Sequence, residues 1–475
     1  MTGWADKKVL VLGLGETGLS LVRWLTVQGA MVSAADSRDN PPFIQVLREQ
    51  FSQVKVRCGM FGSELLDGIE SIAISPGVPL AEPLVQLALA RGIPVVGDIE
   101  ILAQEIATGR GEQKHGNRRP MVIAITGANG KTTVTSMAGA MCRAAGLDTV
   151  AAGNISPAVL DALLERGGKQ PDVWVLELSS FQLETTQSLD ADAATVLNIS
   201  EDHLDRYADM HAYIAAKARI FQSDQGAGGV QVLNRDDAHS LGMALPGRAV
   251  VTFGLNTPAM QENDWGIACG EAGVTLVQGN QPVMNANKLQ TSGLHNVANA
   301  LAALALCRAI GLPLEPLLNA LRAFKGLPHR VEPVAEINGV VYYDDSKGTN
   351  VGATVAALQG LARPVVLIAG GVGKGQDFSP LHSGVASHAR AVVLFGRDAD
   401  KIEMALQGCG VPVAHASDMA DAVHKSAGFA RPGDGVLLSP ACASFDMFRN
   451  YVHRAEAFIA AVRDLQREAS CVSQA

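Results

Sequence analysis

The amino-acid sequence predicts an α/β fold divided into three domains. Short apolar runs that end in glycine-rich or polar loops alternate with helical patterns, as in parallel sheets whose strands are connected by helices. The chain has 475 residues, which is too long for a single hydrophobic core. Breaks in the pattern near residues 115 and 326 predict three domains at 1–115, 116–326 and 327–475.

The composition is typical of a globular protein and excludes several classes of function. Hydrophobic residues make up 48% of the chain and charged residues 18%. The net charge of −9 argues against a nucleic-acid partner. Seven scattered cysteines without a Cys-x-x-Cys pair favour a reducing compartment and give no zinc framework. A strand already at Val9 leaves no room for a signal peptide, and the most apolar helical stretch carries Asn299 and Arg308, so we expect a cytoplasmic protein without membrane insertion.

The first domain opens with a strand and a glycine-rich loop that are typical of Rossmann-like domains. The apolar run Val9 to Leu12 precedes Gly13-Leu-Gly15-Glu-Thr-Gly18 and a helix, and Asp36 ends the next strand. The G-x-G-x-x-G spacing followed by an acid is the dinucleotide fingerprint and, taken alone, predicts NAD. The physical requirement is less specific, because any nucleotide diphosphate fits a tight turn at a helix N-terminus. A plain turn with packing glycines is the alternative.

A second loop of this domain is expected beside the first. The strand Ser71 to Ile74 ends in Ser75-Pro-Gly77-Val78, and the carboxyl ends of parallel strands share one edge of a sheet. Ser75 either binds the same diphosphate or belongs to a simple turn. The glycine-rich, basic stretch Gly109 to Arg119 has no apolar periodicity and is interpreted as a linker.

The central domain begins with a loop that predicts a nucleotide-phosphate site of P-loop type. A strand, Val122 to Ile125, leads into Thr126-Gly127-Ala-Asn129-Gly130-Lys131-Thr132 and then a helix. The glycines free the backbone N–H groups to converge on phosphate, Lys131 would neutralise the outer phosphates, and Thr132 would offer its hydroxyl to Mg²⁺. The P-loop pattern has a glycine where this chain has Ile125, so an ordinary helix start is the alternative.

Three more residues of the central domain are candidates for chemistry. Glu177 lies at the end of an apolar strand, where a buried carboxylate requires a cation, either Mg²⁺ or a local Arg or Lys. His203 follows the next strand, at the edge where α/β active sites are built, and is either functional or structural. Lys217 lies on a helical pattern, and its spacing alone predicts a solvated surface lysine.

The last third of the chain is another Rossmann-like α/β unit behind a hinge at Gly326 to Arg330. Its strand signals again end in polar loops, Asp344 to Asn350, Gly370 to Gly375 and Ser439 to Asp446. We therefore expect these loops at one edge of a third sheet.

Taken together, these stretches resemble the Mur ligases, which are ATP-dependent amide-forming enzymes of peptidoglycan assembly. The resemblance covers all three domains and rests on six stretches: Gly127 to Thr132, Glu177-Leu-Ser-Ser-Phe-Gln182, Asn198 to Tyr207, Leu294-His-Asn-Val-Ala-Asn299, Gly326 to Arg330, and Asp345-Ser-Lys-Gly-Thr-Asn350. The Gly-x-Asn-Gly-Lys-Thr form of the family also accounts for the departure from the P-loop spacing.

The resemblance implies the substrates and the residues that bind them. The substrates would be UDP-N-acetylmuramoyl-L-alanine, D-glutamate and ATP, used with two Mg²⁺ ions by a monomer. Residues expected near the UDP-linked substrate are Gly13, Gly15, Thr17, Asp36, Ser37, Arg38, Ser75, Gly77, Asn154 and Ser179. Residues expected near ATP are Gly127, Asn129, Gly130, Lys131, Thr132, Thr133, Asn299, Arg330 and Asp345. D-Glutamate would be received by Lys347, Thr349, Lys374, Ser444 and Phe445.

The resemblance also implies metal ligands and a modified lysine. Metal would be held by Thr132, Glu177, His203 and Lys217, and the catalytic residues would be Lys131, His203 and Lys217. Lys217 matches the family lysine that reacts with CO₂ to form a carbamate, which reverses the surface interpretation from its spacing. The expected reaction passes through an acyl phosphate that an amine attacks.

Four other functions remain open from the sequence. The first domain is compatible with an NAD(P)-dependent dehydrogenase or a nucleotide-sensing regulator, although neither explains the second phosphate loop or Glu177. A non-catalytic nucleotide-binding assembly protein is another possibility. Within the ligases, a folylpolyglutamate-type enzyme is the nearest rival, but it does not require the nucleotide site at Gly13 to Arg38.

Overall fold

The computed structural model describes residues 3–108, 119–202, 206–222, 228–258, 261–271, 273–291, 293–361 and 363–472. Three sheets of mostly parallel strands, of five, nine and six strands, confirm the predicted α/β class. Their strands lie within residues 8–96, 121–285 and 332–438, and the domain boundaries themselves stay a prediction. Among the described residues, no helix is both long enough and apolar enough to cross a membrane.

The first sheet is wholly parallel, with the strand order β3-β2-β1-β4-β5. Its elements are β1 Lys8–Leu12, α1 Glu16–Val27, β2 Met31–Asp36, α2 Ile44–Gln50, β3 Lys55–Cys58, a 3₁₀ turn Ser63–Leu66, β4 Ser71–Ile74, α3 Pro83–Ala90, β5 Val95–Val96 and α4 Asp98–Thr108. Leu12 pairs with Ala35 on one side and with Ile74 on the other. The loops after β1 and β4 therefore leave the sheet side by side, as predicted, at the point where the strand order reverses.

The central sheet has the order β14-β13-β12-β11-β10-β9-β6-β8-β7. Its strands pair in parallel, except that β13 is antiparallel to both of its neighbours, β12 and β14. The first elements are β6 Met121–Thr126, α5 Lys131–Ala144, β7 Thr149–Gly153, α6 Val159–Glu165, β8 Val173–Glu177, α7 Ser180–Glu184, β9 Ala193–Val196, α8 Met210–Ala218 and a 3₁₀ turn Arg219–Phe221. The others are β10 Val230–Asn234, α9 Ala238–Leu241, β11 Val250–Phe253, β12 Trp265–Gly270, β13 Gly273–Gln278, β14 Gln281–Asn285, a 3₁₀ turn Ala286–Lys288, α10 Leu294–Ala309 and α11 Leu314–Ala323.

The register of the central sheet brings three loops together. Ile125 on β6 pairs with Glu177 on β8 and with Thr195 on β9. These strands are apolar and buried because helices cover both faces of the sheet. The phosphate loop, the Glu177 loop and the loop after β9 therefore meet at one carboxyl edge.

The third sheet has the order β15-β16-β20-β17-β18-β19, with only β15 antiparallel to its neighbour. Its elements are β15 Glu332–Ile337, β16 Val340–Asp344, α12 Val351–Gly360, β17 Val365–Gly370, α13 Leu381–His388, β18 Ala389–Phe395, α14 Ala399–Ala405, β19 Val413–His415, α15 Met419–Phe429, β20 Gly435–Leu438 and α16 Tyr451–Val472. Leu438 pairs with both Asp344 and Ile368, so the predicted polar loops after these strands share an edge.

The first and central sheets are joined by a continuous apolar core. One cluster of buried side chains contains Leu14 and Ile101 from the first unit together with Leu163 and Trp174 from the central unit. Each fully buried side chain of this kind contributes about 1.5–3 kcal/mol. The carboxylate of Glu100 adds a polar tie by accepting hydrogen bonds from the backbone N–H groups of residues 187 and 188. The loops of the two units are thus held in fixed relation to each other.

Candidate active site

The phosphate loop adopts the conformation for which its glycines are required. Gly127 and Gly130 have φ angles of +153° and +83°, which side chains rarely tolerate. A Cβ at Gly130 would also lie 2.6 Å from the Asn299 Oδ1. The Lys131 ammonium folds back over the loop and donates hydrogen bonds to the carbonyl oxygens of Gly127 at 2.8 Å and Ala128 at 2.9 Å. The loop therefore encloses space at the N-terminus of α5, where negative charge is favoured.

Glu177 lies beside this loop with one carboxylate oxygen unsatisfied. Its side chain is 2% exposed, and Oε1 accepts a hydrogen bond from the Asn154 Nδ2 at 2.8 Å. Oε2 is buried and has no hydrogen-bond partner among the described residues. A buried carboxylate oxygen without a partner is unfavourable unless it meets a cation. Together with the Thr132 hydroxyl in the same cavity, it fits a divalent cation such as Mg²⁺.

Lys217 is buried and lies on the inner side of α8, so the surface interpretation from its spacing is wrong. Its side chain is 2% exposed, and the Nζ donates hydrogen bonds to the Gly127 carbonyl at 2.9 Å and the Thr126 hydroxyl at 3.3 Å. Burial, followed by the neighbouring charge of Lys131, lowers the pKa of Lys217 well below its usual value, against the opposing effect of Asp202 and Glu177. This environment favours a neutral, nucleophilic amine.

The C-terminal unit reaches the phosphate loop through two hydrogen bonds. The Arg330 Nη2 donates to the Thr132 hydroxyl at 2.8 Å, and the Asn350 Nδ2 donates to the Asn129 Oδ1 at 3.0 Å. Lys374 pairs with Asp202 of the central unit at 3.3 Å. Sequence reasoning assigned no role to Asn350 or Asp202, although each lies within a stretch that carries the resemblance.

The resulting cavity, of about 260 Å³, is lined by cationic side chains from three parts of the chain. Its walls include Lys131, Thr132, Asn154, Glu177, Ser179, Lys217, Arg330, Lys347, Thr349 and Lys374. Burial, then Arg330, lowers the pKa of Lys347 to about 8, and burial also lowers the pKa values of Lys131 and Arg330. Arg330 and Lys347 also oppose protonation of Lys131, whereas Glu177 and Asp202 favour it. The cations that line the cavity outnumber these two carboxylates, so the cavity is suited to a polyphosphate.

A neighbouring cavity of about 320 Å³ continues from the phosphate loop toward α10. Its walls include the predicted residues Asn129, Gly130, Thr133, Asn299, Arg330 and Asp345. Burial raises the pKa of Asp345 to about 7, against the effect of a hydrogen bond from Ser439 and the charge of Arg330. Burial likewise lowers the pKa of His295 in this wall to about 4. The walls thus combine amide and apolar groups suited to a flat, neutral ring.

A third cavity, of about 200 Å³, lies between the first and central units. Its walls include Glu16, Thr17, Ser75, Gly77, Asn154 and Gln182. The predicted loops of the first unit and Asn154 of the central unit therefore meet. Asn154 also lines the cation-rich cavity, so the two spaces are adjacent.

Asp36 and Arg38 are paired with each other. The carboxylate accepts the Arg38 Nε at 2.8 Å and Nη2 at 2.7 Å, and it also accepts the Leu14 N–H at 2.7 Å. Burial alone would raise the pKa of Asp36, but these hydrogen bonds outweigh it and lower the pKa. The carboxylate of Asp36 thus holds the glycine-rich loop in place through the Leu14 N–H. A ligand that donates a hydrogen bond to this carboxylate would compete with Arg38 and Leu14.

Some predicted residues lie elsewhere. Ser444 is buried and Phe445 is 73% exposed, and neither lines the three cavities described above. Gly13, Gly15 and Ser37 do not line them either. His203 lies outside the described residues, as does most of the predicted linker, 109–118. The roles of these residues stay predictions.

Comparisons with known proteins agree with this architecture. Three family models match: "Mur ligase MurD-like, N-terminal domain" at residues 7–97, "Mur ligase middle domain" at 125–307 and "Mur ligase, glutamate ligase domain" at 329–442. The UDP-N-acetylmuramoylalanine–D-glutamate ligase of Nitrosospira multiformis is 59% identical over 463 residues, which cover 97% of this chain and 96% of the relative. The corresponding ligase of Thiobacillus denitrificans is 57% identical over 97% of each chain.

Solved structures show the same fold at low sequence identity. The UDP-N-acetylmuramate-alanine ligase of Thermotoga maritima has a TM-score of 0.57 and 18% identity, covering 96% of this chain and 99% of that one. A further ligase of Thermotoga maritima, solved with ADP, has a TM-score of 0.57 and 14% identity, covering 98% and 96%. From the three family models and the close relatives over nearly its whole length, the chain belongs to the Mur ligase family.

Proposed function

We propose that this protein is an ATP-dependent ligase that adds D-glutamate to UDP-N-acetylmuramoyl-L-alanine during peptidoglycan precursor synthesis. The observation that carries the proposal is the cation-rich cavity, in which Lys131, Arg330 and Lys347 line the same space as Glu177, whose Oε2 has no hydrogen-bond partner among the described residues. The named activity of the close relatives supports the choice of substrates. Regions 1–115, 116–326 and 327–475 would bind the UDP-linked substrate, ATP and the amino acid, respectively.

The reaction requires activation of a carboxylate. A carboxylate does not react with an amine, because oxide is a poor leaving group. Transfer of the ATP γ-phosphoryl group to the carboxylate gives an acyl phosphate and ADP. The free amine of D-glutamate then attacks the carbonyl carbon, and phosphate leaves with the C–O bond electrons.

The residues of the chain would position these groups and neutralise their charge. Lys131 and Arg330 would hold the phosphoryl oxygens, while Lys347 and Lys374 would bind the carboxylates of D-glutamate. Mg²⁺, for which we expect two ions, would be held by Thr132, Glu177 and His203 and would supply Lewis-acid stabilisation of the phosphate charge. Because acyl phosphates hydrolyse, the contact of Asn350 with Asn129 would also help to keep the cavity closed to water.

Lys217 would act as a carbamate. A neutral amine adds to CO₂ with loss of one proton and becomes an anion. That change would replace the repulsion between Lys217 and Lys131 by an attraction and would offer Mg²⁺ another oxygen ligand. We further propose a cytoplasmic monomer, in keeping with the cytoplasmic source of UDP-linked substrates and ATP.

The test is ADP release by the purified protein with ATP, Mg²⁺ and UDP-N-acetylmuramoyl-L-alanine. We expect turnover with D-glutamate and much slower turnover with L-glutamate or lysine. The control reactions omit UDP-N-acetylmuramoyl-L-alanine, the amino acid or Mg²⁺. Equal rates with all three amino acids would refute the D-glutamate assignment, and no phosphate release under any combination would refute a ligase activity.

A further inference from the structure

Arg206 connects the central unit to the substrate loop of the first unit. Its Nη1 donates a hydrogen bond to the Pro76 carbonyl at 2.7 Å, and its Nη2 donates to the Val78 carbonyl at 3.3 Å. The side chain is 15% exposed and contacts residues of both units. One guanidinium thus holds both carbonyl groups that flank Gly77.

The guanidinium is itself fixed from two sides. Its Nη2 lies 3.3 Å from the Glu184 Oε2, and its central carbon lies 4.0 Å from the centroid of the Phe181 ring. Both partners belong to α7, which follows the Glu177 strand. A planar guanidinium that is stacked and paired in this way presents its N–H groups in a rigid fork, which an ammonium group does not reproduce.

The orientation of the Pro76 carbonyl determines the orientation of the next N–H. In a trans peptide the C=O of one residue and the N–H of the following residue point in opposite directions. Because Arg206 draws the Pro76 carbonyl toward the central unit, the Gly77 N–H points away from Arg206. Gly77 and Ser75 line the 200 Å³ cavity together with Glu16 and Thr17, and the Gly77 N–H makes no backbone hydrogen bond among the described residues.

We propose that Arg206 is a positioning residue for the diphosphate of the UDP-linked substrate. It holds the peptide between Pro76 and Gly77 so that the Gly77 N–H donates to a phosphate oxygen in this cavity. The inference rests on the proposed function, since that function supplies the diphosphate. A hydrogen bond to a charged group corresponds to about a tenfold to hundredfold change in affinity.

The test compares UDP with uridine, which lacks the diphosphate, by calorimetric titration of the wild-type protein and the variant Arg206→Lys. Lysine keeps the charge but not the fork. We expect the Kd for UDP to rise by about tenfold to a hundredfold, while the Kd for uridine and the KM for ATP stay unchanged. The variant Arg48→Lys, which alters an exposed arginine on α2, is the matched control and should change none of these values.

Several outcomes would overturn the inference. An equal loss of UDP and uridine affinity would mean that Arg206 only supports the fold, and unchanged UDP affinity would mean that the fork is not needed. If Arg206→Lys does not fold, the variant Glu184→Gln can be used instead, because it removes the ion pair that holds the guanidinium. It should weaken the affinity for UDP by a few-fold and leave the affinity for uridine unchanged. Unchanged UDP affinity in that variant would also overturn the inference. If the wild-type protein makes no product with D-glutamate, the proposed function is refuted instead. That outcome comes from the ligase assay and is therefore distinguishable from the outcomes of the UDP titration.

Discussion

Replacing Lys131 by methionine should separate phosphate binding from folding. Methionine keeps most of the side-chain length but removes the ammonium, which donates to two loop carbonyls at 2.8 and 2.9 Å and raises the electrostatic cost of protonating Lys217. Loss of one such contact to a reacting group typically lowers the rate by ~10²–10³, or about 2.7–4 kcal/mol. We expect a loss of this size in kcat/KM for ATP. Without ATP, removal of a cation from a crowded cluster should leave the free energy of unfolding within about 1 kcal/mol of wild type or raise it.

The matching assay is thermal or denaturant unfolding with and without a non-hydrolysable ATP analogue, alongside ADP release. At an analogue concentration of about 100 Kd, the wild-type protein should gain about 2.7 kcal/mol of stability. A hundredfold weaker affinity leaves the same concentration near Kd, where the gain is about 0.4 kcal/mol. Lys169→Met, at an exposed lysine, is the control and should behave as wild type. Near-normal ADP release by Lys131→Met, or full stabilisation by the analogue, would refute the role given to Lys131.

Two further predictions concern the other lysines of the cavity. If Lys217 forms a carbamate, activity should fall in CO₂-depleted buffer and return when bicarbonate is added. Isotope-labelled bicarbonate should also give an NMR signal that the variant Lys217→Ala lacks. Activity that does not depend on CO₂ would contradict the modification. Because burial and Arg330 lower the pKa of Lys347 to about 8, with Glu177 opposing them, its cation is present below pH 8 and is lost above it. The inhibition constant of glutarate, a dicarboxylate without the reacting amine, should therefore rise by up to about tenfold per pH unit above 8, and Lys347→Arg should abolish this rise; a flat profile in the wild type would contradict it.

The placement of the loops at the carboxyl edges of the sheets was predictable from the sequence. Gly13, Ser75, Gly127 and Glu177 each follow an apolar run, and parallel pairing brings the ends of such runs to one edge of a sheet. The lysine at 217 was not predictable from its spacing. Its helix faces the phosphate loop rather than solvent, and that orientation depends on tertiary packing and not on helical period.

Contacts between units also escaped the sequence pattern. Within the first unit, the pairing of Asp36 with Arg38 was not predicted either, and the expected role of both residues at the UDP-linked substrate stays a prediction. Arg206 stands in a stretch that carried the resemblance, yet the carbonyl groups to which it donates lie about 130 residues earlier in the chain. Hydrogen bonds between side chains and distant carbonyls leave no periodic signal, so only the folded arrangement reveals them.

The cluster of cations links the phosphate site to the hinge. Arg330 is the last residue of the predicted hinge and donates to the hydroxyl of Thr132, which is also the group proposed to face Mg²⁺. A divalent cation at that hydroxyl would repel the guanidinium, so the proposed binding of Mg²⁺ and ATP predicts that Arg330 exchanges its bond to Thr132 for a phosphate oxygen. The same polyanion relieves the repulsion among Lys131, Arg330 and Lys347. On the proposed function, nucleotide binding and the position of the C-terminal unit would therefore be coupled through the side chain of one arginine, and neutralisation of the cationic cavity would supply the free energy for that coupling.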